Sequence, residues 1–236
     1  MVGGVATCVL AMLVASPLVS AQSTDPRTFS DTGFVIDNDA IWNFYSQNGG
    51  TDVFGEPISR DLSLAGMSNT VQLFDRAALA VQNDGSVQPL ALADPPLLPY
   101  TTFGGLSLPA IDPATTFVAP TPDQPNYAAR VPIFVDTVVP DPFLTTFNSL
   151  GGAPILGLPT SPPKPDPNNP RFVYQRFDTT ILMNDMDAGT TQPLLMGQYF
   201  KEVLENQGLP ADLAAEAANS PLLGALANSD VFAPAI

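Results

Sequence analysis

Apolar residues along this chain fall into short runs punctuated by glycine and proline, and the order of the runs is informative. Ile41-Trp42-Asn43-Phe44-Tyr45 carries apolar side chains at helical spacing, with Asp37 or Asp39 as the expected cap. Gly49-Gly50 should stop that helix, one glycine taking a left-handed conformation. Phe54-Gly55-Glu56-Pro57 then reads as a tight connection, its leading Phe directed to the core. Fair alternation from Thr70 to Phe74 predicts a strand, and Ala77 to Val81 predicts an antiparallel partner. Asn83-Asp84-Gly85 supplies the next turn.

The same succession returns in the second half. Tyr45, Gly49, Gly50, Phe54, Gly55, Pro57 and Ser59 match Phe147, Gly151, Gly152, Leu156, Gly157, Pro159 and Ser161, each pair 102 positions apart. Gln72-Leu73-Phe74-Asp75 matches Gln175-Arg176-Phe177-Asp178, and Gln88-Pro89-Leu90 matches Gln192-Pro193-Leu194. Upstream, Phe29-Ser30-Asp31-Thr32 echoes Phe134-Val135-Asp136-Thr137. Preserved order with a slowly drifting offset is the mark of an internal repeat with small loop insertions. In the second copy Pro140 and Pro142 confine the helix to a short piece starting near Asp141. Strands are expected at Phe172 to Phe177 and Thr179 to Met183, with a turn at Asp187-Ala188-Gly189.

From about Asp94 to Arg130 the prolines forbid long elements, while Leu97, Leu98, Tyr100, Phe103, Leu106 and Phe117 argue for packing against the modules. Beyond the second copy, helices are expected at Gln198 to Asn206, Ala211 to Ala218 and Pro221 to Ala227, with Leu213, Leu222, Leu223 and Leu226 covering an apolar face. The expected class is α+β: two tandem copies of a small helix, Gly/Pro loop and β-hairpin module, a Pro-rich connection and C-terminal helices. The expected segments are 1–21, 22–93, 94–130, 131–196 and 197–236.

Segment 1–21 reads as a signal peptide. Val9 to Ala15 is an apolar stretch too short to favour a membrane span, and Val19-Ser20-Ala21 suits cleavage after Ala21. The alternative is an uncleaved hydrophobic anchor. Cys8, the only cysteine, lies inside this leader, so the mature chain would have no thiol, and histidine is absent throughout. Those absences remove Ser-His-Asp and Cys-His catalysis, His-bearing zinc sites and axial histidine ligation of haem. No cofactor and no metal are expected. Twenty-three acids against eight bases set the formal charge at −15. Such a chain repels nucleic acid and anionic lipid surfaces, leaving neutral glycans, cations and basic protein surfaces as partners.

The run Trp42 to Ser59, with its aromatic-bearing helix, glycine pair and Phe54-Gly55-Glu56-Pro57-Ile58-Ser59 turn, resembles the LGFP-type repeats of secreted actinobacterial and Chloroflexi proteins. Leu156-Gly157-Leu158-Pro159-Thr160-Ser161 is similar to a second, more diverged copy, and Phe29 to Phe34 to the lead-in of such proteins, with Phe34 where histidine is common. Glu56 and Leu158 replace the turn aromatic, Arg60 and Pro162 the acidic step, and Asp75 and Asp178 the glycine after the strand Phe. The resemblance implies an extracellular, envelope-associated role with binding to cell-wall polysaccharide.

Six side chains are candidates for ligand contact. Trp42 and Tyr45, together with Phe44 and Tyr199, are candidate sugar-stacking rings, although their spacing also suits core packing. Asp75 and Asp178 recur beside a strand Phe; as a pair across one cleft they would suit glycoside hydrolysis, and singly they would cap the strand or pair with the neighbouring Arg76 or Arg176. Asn184 to Gly189 offers oxygen ligands at alternate spacing but lacks the downstream bidentate Glu of a calcium loop. The favoured expectation is a secreted, non-catalytic envelope module binding cell-wall polysaccharide or another envelope protein, with no membrane span once the leader is removed. A carboxylate-dependent glycan hydrolase and a scaffold docking through its C-terminal helices are the alternatives.

Overall fold

The computed structural model describes residues 25–64, 69–95, 97, 101–218, 220, 222–226 and 230–234; the expected signal peptide, its cleavage point and Cys8 lie outside them. The chain is α+β, with eight α-helices and four antiparallel sheets among the described residues.

The first unit opens with a hairpin of β1 (Thr28–Phe29) and β2 (Phe34–Val35), followed by α1 (Asp39–Gln47) and α2 (Gly50–Phe54). The cap of α1 is Asn38, not Asp37 or Asp39: its side chain accepts from the amides of Ala40 and Ile41 at 3.0 and 3.2 Å. Asp39 is already inside the first turn and pairs with Arg27 at 2.6 Å. Gly49, at φ +95°, ends α1, and a side chain there would collide with Val53. Strands β3 (Leu62–Ser63), β4 (Thr70–Leu73), β5 (Ala78–Val81) and β6 (Val87–Pro89) follow in spatial order as one sheet.

Next come the small hairpin β7 (Thr102–Phe103) and β8 (Leu106–Ser107), then α3 (Pro113–Val118) and α4 (Tyr127–Val138). Twelve-residue α4 runs through the boundary expected near residue 130 and contains Pro132. The proline removes the bond to the Ala128 carbonyl, but Ala128 is exposed and water can replace it. The helix survives because Val131, Phe134, Val135 and Val138 recur at helical spacing, with Phe134 and Val135 buried. The echo of Phe29–Thr32 in Phe134–Thr137 is therefore not structural, since one is a hairpin and the other a helix.

The second unit continues with α5 (Phe143–Ser149), α6 (Ala153–Leu156), and β9 (Lys164–Pro165), β10 (Phe172–Arg176), β11 (Ile181–Asp185) and β12 (Thr190–Pro193), again consecutive in one sheet. Helices α7 (Met196–Glu205) and α8 (Ala211–Ala217) follow, and a short 3-10 turn at Asp230–Phe232 is the last described element. The third C-terminal helix does not form among the described residues. Residues 222–226 make turns, and the amides of Gly224 and Leu226 bond to the carbonyls of Val203 and Leu204. They satisfy the free end of α7 instead of extending a helix of their own.

Two cores result, and both draw on both units. In one, Ile41, Tyr45, Phe54 and Phe74 meet Phe143, Phe147, Leu156 and Phe177. In the other, Val71, Leu73, Tyr174 and Ile181 from the opposite sheet faces are covered by Met196, Phe200, Val203 and Leu204 of α7 and by Leu213 of α8. The leucines expected on the C-terminal helices are thus used internally, with Leu213 fully buried and Leu222 nearly so.

Candidate functional site

The recurring chemistry centres on the Gly-Pro turn and the aspartate that follows the strand Phe. Gly55 and Gly157 have φ +80° and +74°, and a Cβ on either would overlap the Asp75 or Asp178 side chain. Each carboxylate arches over its glycine and accepts from the next amide: Glu56 N–H to Asp75 Oδ2 at 2.8 Å, and Leu158 N–H to Asp178 Oδ2 at 2.7 Å. The backbone completes the lock. The Asp75 amide donates to Glu56 O and that of Arg76 to Phe54 O; the amides of Asp178 and Thr179 donate in the same way to Leu158 O and Leu156 O. Pro57 pairs with Phe74, and Pro159 with Phe177, as isolated bridges.

A second repeated frame lies one turn away. Gln72 Nε2 donates to the carbonyls of Val35 and Ser59, while Gln175 Nε2 donates to those of Val138 and Ser161. Ser59 Oγ accepts from Leu73 N–H, and Ser161 Oγ from Arg176 N–H. Tyr45 stacks on Phe74 and Phe147 on Phe177, with ring centroids 5.1 Å apart in both. Side chains that recur between the halves are therefore those holding turn, strand and helix together.

The units meet through equivalent surfaces. Phe54, Ala77 and Pro89 of the first line a seam with Leu156, Thr180 and Pro193 of the second. The seam encloses a cavity of about 20 Å³, on the scale of a water molecule and far below a sugar ring. Neither Asp75 nor Asp178 lines it. Nor is either aspartate in an ion pair with its neighbouring arginine: Arg76 donates to the carbonyls of Thr51 and Asp52, and buried Arg176 to those of Pro109 and Ala93. Asp75 Oδ1 instead accepts from Gln198 Nε2 at 2.7 Å, tying α7 to the first turn.

Burial raises the Asp178 carboxyl above its ordinary value, the Leu158 amide opposing and the Asp94 charge adding to the rise. A folded-state value above the unfolded one means that the folded chain binds the proton more tightly. The associated stability is present below the ordinary aspartate range and is lost as pH rises through the folded value. Two outcomes follow for neutral pH, readable by urea melts. Asp178→Asn, which keeps an acceptor without the charge, is expected to leave stability unchanged or slightly raised. Asp178→Ala is expected to lose about 1–2 kcal/mol by stranding the Leu158 amide.

The candidate rings separate. Tyr45 is buried; its hydroxyl lies 2.8 Å from Thr51 Oγ1 and donates to Gly55 O, and burial raises its pKa. Tyr199 is buried in the α7 core, and desolvation raises its pKa as well. Neither is a sugar platform. Phe44 packs against Phe54. Trp42 and Phe44 are both partly buried; Trp42 stacks on Tyr45, and the Arg27 guanidinium, bound to Asp39, lies over its ring 5.6 Å from the centroid.

The Asn184–Gly189 loop is a hairpin turn. Asp185 accepts a bidentate pair from Arg171 at 2.7 and 2.5 Å and the amides of Asp187 and Ala188, which pull its carboxyl down to about 2. Its oxygens are thereby taken up by the turn.

Charged residues that pattern reading passed over hold the connecting segment. Asp212 accepts from Gly105 N–H, Glu216 from Thr101 N–H, and Asp166 from Ser107 N–H, so the β7–β8 hairpin is moored to α8 and to the second unit. Arg176 could have been found from the sequence, since it is a cation standing where the other copy has Leu73. No family model, curated protein or solved structure matches the chain.

Proposed function

We propose that this is an exported, non-catalytic module of the bacterial cell envelope that binds cell-wall polysaccharide, with Trp42 as its sugar-facing ring. The observation that carries the reading is that the recurring aspartates and glutamines are engaged by their own turns and strands. A carboxylate that accepts turn amides and stands outside the seam cavity is held in a structural role, away from a partner acid across that cavity. Trp42 differs. Its ring is partly exposed, with Tyr45 stacked on it and the Arg27 guanidinium, itself paired with Asp39, over it, so that a pyranose would meet the exposed part of the ring beside a charged donor. The leader-like N-terminus and the resemblance to envelope repeats supply the location.

The test is retention on insoluble peptidoglycan and arabinogalactan. The full chain is expected to be retained without turnover, and Trp42→Ala to be held about tenfold less tightly, equivalent to ~1.4 kcal/mol. Passage of the wild-type chain unbound, or undiminished retention of the variant, would overturn the reading.

A further inference from the structure

Apolar surface is left open where α3 and the following loop lie beside α4. Phe117 is 89% exposed, Val118 58% and Ile133 67%. Between the Val118–Pro120 corner and α4 runs a groove of about 340 Å³, within the usual range of small-molecule sites. Its floor is one stripe of the helix. Arg130, Ile133, Phe134, Thr137 and Val138 stand at i, i+3, i+4, i+7 and i+8, while Val131 and Val135 on the adjoining flank pack into the core. The stripe has a polarity. Arg130, exposed, is at its first position, and the other residues present carbon. The Thr137 hydroxyl donates back to the Ile133 carbonyl at 2.7 Å and is thereby satisfied within the helix. From Arg130 to Val138 the helix rises roughly 12 Å. Arg130 makes no ion pair among the described residues.

We infer that this groove binds one monomeric anionic amphiphile, a single-chain alkyl carboxylate. The carboxylate sits on the Arg130 guanidinium, and the chain lies along Ile133, Phe134 and Val138 under Val118 and Pro120. Charge complementarity selects the occupant. In a chain of formal charge −15 the one charged group lining the groove is a cation, placed at the end of an otherwise apolar track. A guanidinium takes a carboxylate bidentately. The net charge opposes an anionic bilayer and a second copy of the same chain, whereas a single head-group charge meets Arg130 at contact distance.

The experiment titrates the full chain with octanoate, decanoate and dodecanoate below their micelle-forming concentrations, using dodecyl maltoside and dodecyltrimethylammonium as head-group controls. Saturable 1:1 binding is expected, tightening about fourfold per added methylene until the groove is filled, with both controls weaker than dodecanoate. Arg130→Gln should weaken dodecanoate about tenfold and leave dodecyl maltoside unchanged. Ile133→Ser, at an exposed position that leaves the fold intact, should flatten the dependence on chain length. The proposal is overturned by absence of saturable binding, by equal affinity for the three head groups, or by an Arg130→Gln variant that binds as the wild type. It is likewise overturned if sedimentation shows the face closed by a self-association that Ile133→Asp abolishes, or by co-sedimentation with phosphatidylglycerol vesicles that the same variant removes.

Discussion

Gly197→Ala is expected to lower the melting temperature by roughly 10 °C, a loss of about 3 kcal/mol. Helix propensity alone points the other way, since alanine at an ordinary helical position gains up to about 1 kcal/mol over glycine. The reason for the reversal is local. Gly197 lies in the first turn of α7, and a Cβ there would be driven into the Phe74 carbonyl and to 2.8 Å from that of Ala77. Those carbonyls belong to the turn between β4 and β5. That turn is closed by Phe74 N–H to Ala77 O and fastened by the amides of Asp75 and Arg76 to the Gly-Pro loop, so it has little room to yield. The helix must move instead. It would give up the bonds from Gln198 N–H to Asp75 O and from Gln198 Nε2 to Asp75 Oδ1, and loosen the packing of Met196, Phe200 and Val203. Thermal unfolding by circular dichroism reads the effect; an unchanged or higher midpoint would contradict this account of how α7 docks.

Arg176→Met should cost about 3–4 kcal/mol and free the connecting segment. Arg176 is 1% exposed. Its Nε donates to Pro109 O at 2.8 Å and its Nη1 to Ala93 O at 2.7 Å, so one side chain holds both ends of the stretch between the units. Methionine restores most of the volume and none of the donors, leaving two buried carbonyls unpaired at roughly 1–3 kcal/mol each. The position matched to Arg176 is Leu73, which is fully buried in the apolar core and needs no partner. The second unit thus has a charged peg where the first has a hydrocarbon one. Two measurements check it: the urea midpoint, and limited proteolysis, in which new cleavage between residues 94 and 112 should precede cleavage elsewhere. A variant as stable and as protease-resistant as the wild type would reject the mooring role.

Much of the local framework was legible from residue types. The glycine pairs end their helices because left-handed φ at Gly49 and Gly151 admits little else. The strand at Thr70–Leu73 follows alternation in residue type, that at Phe172–Arg176 follows from its match to the first copy, and the glycines at 85 and 189 take the turn conformations expected. Helix α4 was not legible, because proline content argued for a broken segment, whereas Pro132 is tolerated where Ala128 is exposed and Phe134 and Val135 pack into the core. The candidate rings were ambiguous for a related reason: Trp42 and Tyr45 are three residues apart on one helix, and spacing cannot say which looks inward. The tertiary structure buries Tyr45 and leaves Trp42 half-open.

By itself the sequence determined the helix stops, the turns, the strand pairs and the strong negative charge, since each depends on the conformational range or ionisation of residues adjacent in the chain. Only the tertiary structure decided what the repeated aspartates do. Whether a carboxylate serves a cleft or a turn depends on which amide comes within reach after folding, and Asp75 and Asp178 lie 19 and 20 residues from the amides they accept. The same holds for the seam, where packing equivalent faces against each other removes the surface a shared groove would need, and for the apolar track on α4, whose exposure follows from what the rest of the chain leaves uncovered.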